Sequence, residues 1–149
     1  LFTASASPAL CLTSSAAPDV PVDVTGQFVS GEGLTFVATQ PTRVLDTRST
    51  GRLAAGASTG YTIPTSSGEN GLTIVPIAAS VNLASIQHTA RGHVTSWDCS
   101  ARPETSALNP VVGAPTANGA LVEITATGRS CLYHSSGGDL VVDLAGWWV

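Results

Sequence analysis

The nineteen residues CLTSSAAPDVPVDVTGQFV, positions 11–29, return 120 positions later as CLYHSSGGDLVVDLAGWWV, positions 131–149. Eight of the nineteen pairs are identical: Cys11 with Cys131, Leu12 with Leu132, Ser15 with Ser135, Asp19 with Asp139, Val22 with Val142, Asp23 with Asp143, Gly26 with Gly146 and Val29 with Val149. Val20/Leu140, Val24/Leu144 and Phe28/Trp148 keep their apolar character. A period of this length is the size of a domain rather than of a solenoid rung. Residues 30–149 therefore read as one complete unit, and residues 1–29 as the terminal strands of a preceding unit. The competing reading puts the two segments at pseudo-symmetric places inside a single domain. A piece as short as residues 1–29 cannot bury a face by itself. It must pack on the complete unit or be completed by another chain through strand addition.

The local pattern is that of strands. GLTFVAT, TRVLDT, GYTIPT, LTIVPIAASVNLASI, GHVTSW, ALVEITAT, SCLYHS and DLVVDLAGWWV are short β-branched or aromatic runs bounded by Gly, Pro, Ser or Asn. No apolar period of helical spacing extends over ten residues, so the expected class is all-β, an antiparallel β-sandwich or jelly-roll-like barrel without substantial helix. In DLVVDLAG, alternation puts Leu140, Val142 and Leu144 on one face and Asp139, Val141 and Asp143 on the other. Pro21 stands in the first copy where the second has Val141. Lacking an N–H, it places that strand at a sheet edge or beside a bulge.

Composition narrows the functional classes. The 149 residues suffice for one domain with a real core. Charged residues make up only 11% of them, so a hydroxyl-rich surface must supply solubility. All six basic residues are Arg, scattered and outnumbered by ten acids. No phosphate-tracking stripe forms, which argues against nucleic acid as a partner. No apolar stretch approaches the ~18 residues of a membrane span, and LFTASASPAL lacks the features of a signal peptide. Three cysteines leave one over: if Cys99 bridges Cys131, Cys11 is unpaired within the chain or bonded to another. Such a bridge places the chain in an oxidising compartment, whereas a reduced, buried trio would be cytosolic.

PTRVLDTR at 41–48, SVNLASIQHTARGHVTSWDCSARPETSALNP and the closing CLYHSSGGDLVVDLAGWW carry a family likeness. The chain resembles a repeat of secreted and surface proteins of actinobacteria, whose units open with P-x-R-x-L-D-T-R and close on a V-D-x-x-G-aromatic strand. The resemblance covers 30–149 and the closing motif at 11–29. It implies an extracellular or cell-surface, all-β, non-catalytic module, often in tandem, with a disulfide between Cys99 and Cys131. The chain departs from that pattern at PVVGAPTANGALVEI, where the family more often has a Gly-Gln-Thr-x-x-Asn run.

Each chemically suggestive cluster has a structural reading beside its functional one. Arg43, Asp46 and Arg48, with Asp143 on the last strand, read as an ion network that ties the first strand to the last. Their functional reading is a grip on a polar ligand such as a sugar. Arg43 and Asp46 differ in strand parity, whereas Asp46 and Arg48 share a face. Asp139 and Asp143, repeated as Asp19 and Asp23, lie four residues apart, about 13 Å along a strand, too far to share one cation. No metal or cofactor is therefore expected. A hydrolase triad assembled from His93, Asp98 and a serine, or from His88 or His134, has no G-x-S-x-G elbow or other motif behind it. Each histidine reads as an exposed strand or turn residue. Of the adjacent Trp147 and Trp148, one must point inward. Alignment with Gln27 and Phe28 assigns Trp148 to the core and Trp147 to the surface, where with Trp97 or Tyr133 it would line a glycan site or an inter-module contact.

These readings converge on a non-catalytic structural and interaction module whose partners are neighbouring modules or subunits. The alternative is a carbohydrate- or cell-wall-binding module that targets a secreted enzyme.

Overall fold

A computed structural model describes residues 14–17, 22, 31, 33–64, 66, 67 and 73–149. The β-branched and aromatic runs form nine strands among these residues: β1 (Phe36–Asp46), β2 (Ala57–Thr62), β3 (Ser66–Ser67), β4 (Thr73–Ile74), β5 (Ala78–Ile86), β6 (Val94–Trp97), β7 (Thr116–Glu123), β8 (Arg129–His134) and β9 (Asp139–Trp148). They pair as a four-stranded antiparallel sheet in the order β1-β9-β5-β7, a three-stranded antiparallel sheet in the order β2-β8-β6, and the small β3-β4 pair. The protein is an all-β sandwich. None of its described residues forms a helix long and apolar enough to cross a membrane. Cys11, Asp19, Asp23 and the division at residue 29 lie outside the described residues; of residues 1–29, only 14–17 and Val22 are described.

Period-two alternation builds the core from both sheets. Ala79, Val81 and Leu83 of β5 and Leu140, Val142 and Leu144 of β9 face Leu132 of β8, Val94 of β6 and Tyr61 of β2 in one cluster. Val141 and Asp139, expected on the opposite face of β9, are also buried, and Thr47 closes the Asp139 end of the strand. The Thr47 hydroxyl bonds the Asp139 carboxylate at 3.2 Å and accepts the Leu140 N–H at 2.9 Å.

Two bulges re-aim side chains that simple alternation misplaces. In the β5–β9 ladder Val81 lies opposite Leu144 and Ser80 opposite Gly146, which leaves Ala145 as an extra residue and inverts parity beyond it. Trp147 therefore lies opposite the fully buried Ala79 and packs against the core, while Trp148 turns to the outer face. This corrects the expected assignment, in which Trp148 was the core aromatic and Trp147 the exposed one. The second bulge, at Val44, lies between the pairs Arg43–Asp143 and Leu45–Val142 and brings Arg43 and Asp46 to the same side of β1.

The turn from β8 to β9 needs glycine. Gly137 and Gly138 have φ of 72° and 152°, and a Cβ at Gly137 would meet the backbone of Leu53 to Ala55 at 2.7–2.9 Å.

Candidate functional site

Three places combine chemistry with position. The first is the outer face of the four-stranded sheet. Phe36 lies opposite Trp148 in the β1–β9 ladder, and their rings meet at 4.6 Å between centroids with a 46° tilt. The Phe36 ring covers Gly146, where any Cβ would come within 2.5 Å of it. In the next row Ala38, Gly146, Ser80 and Leu121 run across the sheet on the same face. Leu34 and Phe36 are each 47% exposed and Leu121 40%. The patch thus consists of large apolar side chains over small ones, open to solvent.

Further along the same face lies the ion network. Arg43 grips Asp143 through Nε at 2.8 Å and Nη2 at 3.1 Å, and its Nη1 reaches Asp46 at 3.1 Å. Arg48 adds Nε at 2.9 Å and Nη2 at 2.6 Å to the same Asp46 carboxylate, which also accepts the Arg48 backbone N–H. The Arg48 guanidinium foremost, then that backbone N–H and Arg43, hold the Asp46 carboxyl well below the usual carboxylate range. Every acidic oxygen here is engaged by arginine, so the network ties β1 to β9 and offers no carboxylate to a sugar.

The second place is a cleft of about 560 Å³ on the outer face of the three-stranded sheet, lined by residues that include His93, Arg102, Glu104, Asn109 and Tyr133. Residues 98–109 fold back over this sheet. The disulfide Cys99–Cys131 pins one end, Trp97 Nε1 donates to the Ser100 carbonyl at 3.1 Å, and the Thr95 hydroxyl bonds the Thr105 carbonyl at 2.7 Å. The cover buries Trp97 and leaves Tyr133 half-buried, with the Arg102 guanidinium stacked 4.0 Å over its ring. Trp147 belongs to the other sheet, so the three aromatics proposed for one site are not brought together.

The third place is inside the sandwich. Ser85 of the large sheet and His134 of the small one are fully buried and meet across the interior, Oγ to Nε2, at 2.9 Å. Ser85 Oγ also lies 3.2 Å from His88 Nδ1, and His88 Nε2 lies 2.6 Å from the Val111 carbonyl oxygen. A carbonyl only accepts, so His88 carries its proton on Nε2 and accepts the Ser85 hydroxyl at Nδ1. His134 must then donate from Nε2, which leaves its Nδ1 as a buried lone pair without a partner. Burial foremost, then the charges that His88, His93 and Arg52 would present, lowers the His134 pKa to about 4.

Histidines 88 and 134 are therefore interior residues, which corrects the expectation that each histidine is exposed. The reason is parity: His134 lies on the inward face of β8 with Ser130 and Leu132. Forty-nine residues separate Ser85 from His134, and no local motif signals their meeting. Asp98 bonds the backbone N–H and hydroxyl of Ser100, which lowers its pKa and commits it to a turn. Asp139 is held by Thr47 and Asp143 by Arg43, and no group of three or more potential metal ligands converges among the described residues. The sequence signal for the apolar patch is the alternation of Leu34, Phe36 and Ala38 through GLTFVAT.

No protein-family model matches this chain, and no curated protein matches its sequence.

Proposed function

We propose that the chain is a non-catalytic structural and interaction module of an extracellular or cell-surface assembly. The observation that carries this reading is the apolar outer face of the four-stranded sheet, where Leu34, Phe36 and Leu121 leave hydrocarbon surface in water beside the half-buried Trp148. Such a patch is where a folded neighbour gains most by docking. The disulfide fits an oxidising compartment. The one serine–histidine cluster described is sealed in the core, where Ser85 has no access to substrate, and the motif resemblance points to the same class.

A second reading rests on the Tyr133 cleft. An arginine on an aromatic ring, beside Glu104 and Asn109, is chemistry that would seat a polysaccharide unit. The two readings separate on insoluble cell-wall polysaccharide. The interaction module leaves wild type and Tyr133→Ala equally unretained. Retention that is lost in Tyr133→Ala and kept in Leu121→Asp would overturn it in favour of the glycan-binding module.

A further inference from the structure

We infer that the apolar outer face around Phe36, Trp148 and Leu121 is the docking seat for residues 19–29 of the same chain, the closing-strand copy that precedes the module. This inference rests on the interaction-module reading and names the surface and its occupant.

The first observation is a mismatch between counterparts. Val142 is fully buried in β9, with Leu140 and Leu144 beside it, whereas its repeat partner Val22 is 57% exposed. The segment keeps the strand's apolar sequence pattern, Val20, Val22 and Val24 standing for Leu140, Val142 and Leu144. It cannot rebuild that setting through the same hairpin. Ala17 and Pro18 stand where the β8–β9 turn has Gly137 and Gly138, and proline cannot adopt the φ of 152° found at Gly138.

The second observation is geometric. Thr35 and Val149 exchange backbone hydrogen bonds of 2.7 and 3.0 Å, so the chain enters the module beside the patch, at the end of β1 that holds Phe36. From Val29 to Thr35 the chain spans at most about 20 Å. The copy is thus tethered within reach of Leu34, Phe36 and Trp148, at an effective concentration that for a short tether is on the order of millimolar. One six-residue step joins the open sheet face to the apolar pattern of the copied strand, which makes that face the nearest apolar surface the copy can reach.

Hydrogen exchange on the 149-residue chain tests this, in wild type and in Leu34→Asp and Leu121→Asp, whose exposed side chains lie outside the core. Amides of residues 19–29 should exchange at least tenfold more slowly in wild type than in either variant, with β5 and β9 protected alike in all three. Exchange of 19–29 at the unprotected rate in wild type overturns the inference, as does protection that survives both substitutions. Protection that appears only at high protein concentration also overturns it, because a second copy then occupies the face. In that case the interaction-module reading stands, since polysaccharide retention tests that reading separately.

Discussion

The two sheets of the sandwich treat their outer faces in opposite ways. The three-stranded sheet is roofed by its own chain: residues 98–109 lie over β6 and β8, pinned by Cys99–Cys131 and by bonds from Trp97 and Thr95. The four-stranded sheet carries no such roof among the described residues, only the Phe36–Trp148 pair, Leu121 and an arginine–carboxylate network. A covered face needs no partner, and its cleft is polar. An uncovered face with exposed aliphatic and aromatic side chains gains from one. The proposed interaction surface on the larger sheet rests on this difference, which also gives the disulfide a local task, that of holding a roof.

Removing the roof should have the largest effect. The disulfide closes a separation of 32 residues, so Cys99→Ala with Cys131→Ala should cost about 3–4 kcal/mol in denaturant unfolding. It should also expose Trp97 to a fluorescence quencher while leaving the Phe36–Trp148 face unchanged. An unchanged unfolding midpoint would show that the roof stands without its pin. Next comes the joint between the sheets: Ser85→Ala strands the His134 Nε2 proton and the His88 Nδ1 lone pair in the core, a loss of about 1–3 kcal/mol.

Acid acts on the same joint. Between pH 6.5 and about 4 the unfolded chain takes up a proton at His134 that the native fold refuses, so stability falls as pH drops through that window. Urea midpoints measured from pH 7 to 4 check this, and a flat profile would contradict the buried, unpartnered Nδ1. The smallest effect is on the open face. Arg43→Ala breaks both carboxylate contacts, yet these groups sit in water, so the unfolding midpoint should barely move.

Alternation and turn residues were enough to read the all-β class and the inward Leu140, Val142 and Leu144, because those signals lie within single strands. What they could not convey depends on how strands count against each other. One extra residue at Ala145 exchanges the roles of Trp147 and Trp148, and the bulge at Val44 lets Arg43 reach Asp46 despite their unlike parity. Bulges are fixed by the partner strand rather than by the bulged one. The Ser85–His134 contact is likewise a product of sheet-on-sheet packing, set by where β5 and β8 face each other. The cleft depends on the roof in the same way, since the roof carries Arg102 to the Tyr133 ring.

The mutual hydrogen bonds of Thr35 and Val149 have a mechanical consequence. β1 and β9 are antiparallel neighbours, so tension applied to these two residues pulls the strands apart at one end of their ladder. The bonds then carry the load singly, as the teeth of a zipper do, rather than sharing it in shear. A chain of such units under stretch would yield early and lengthen in steps, each step shortened by the loop that Cys99–Cys131 keeps closed.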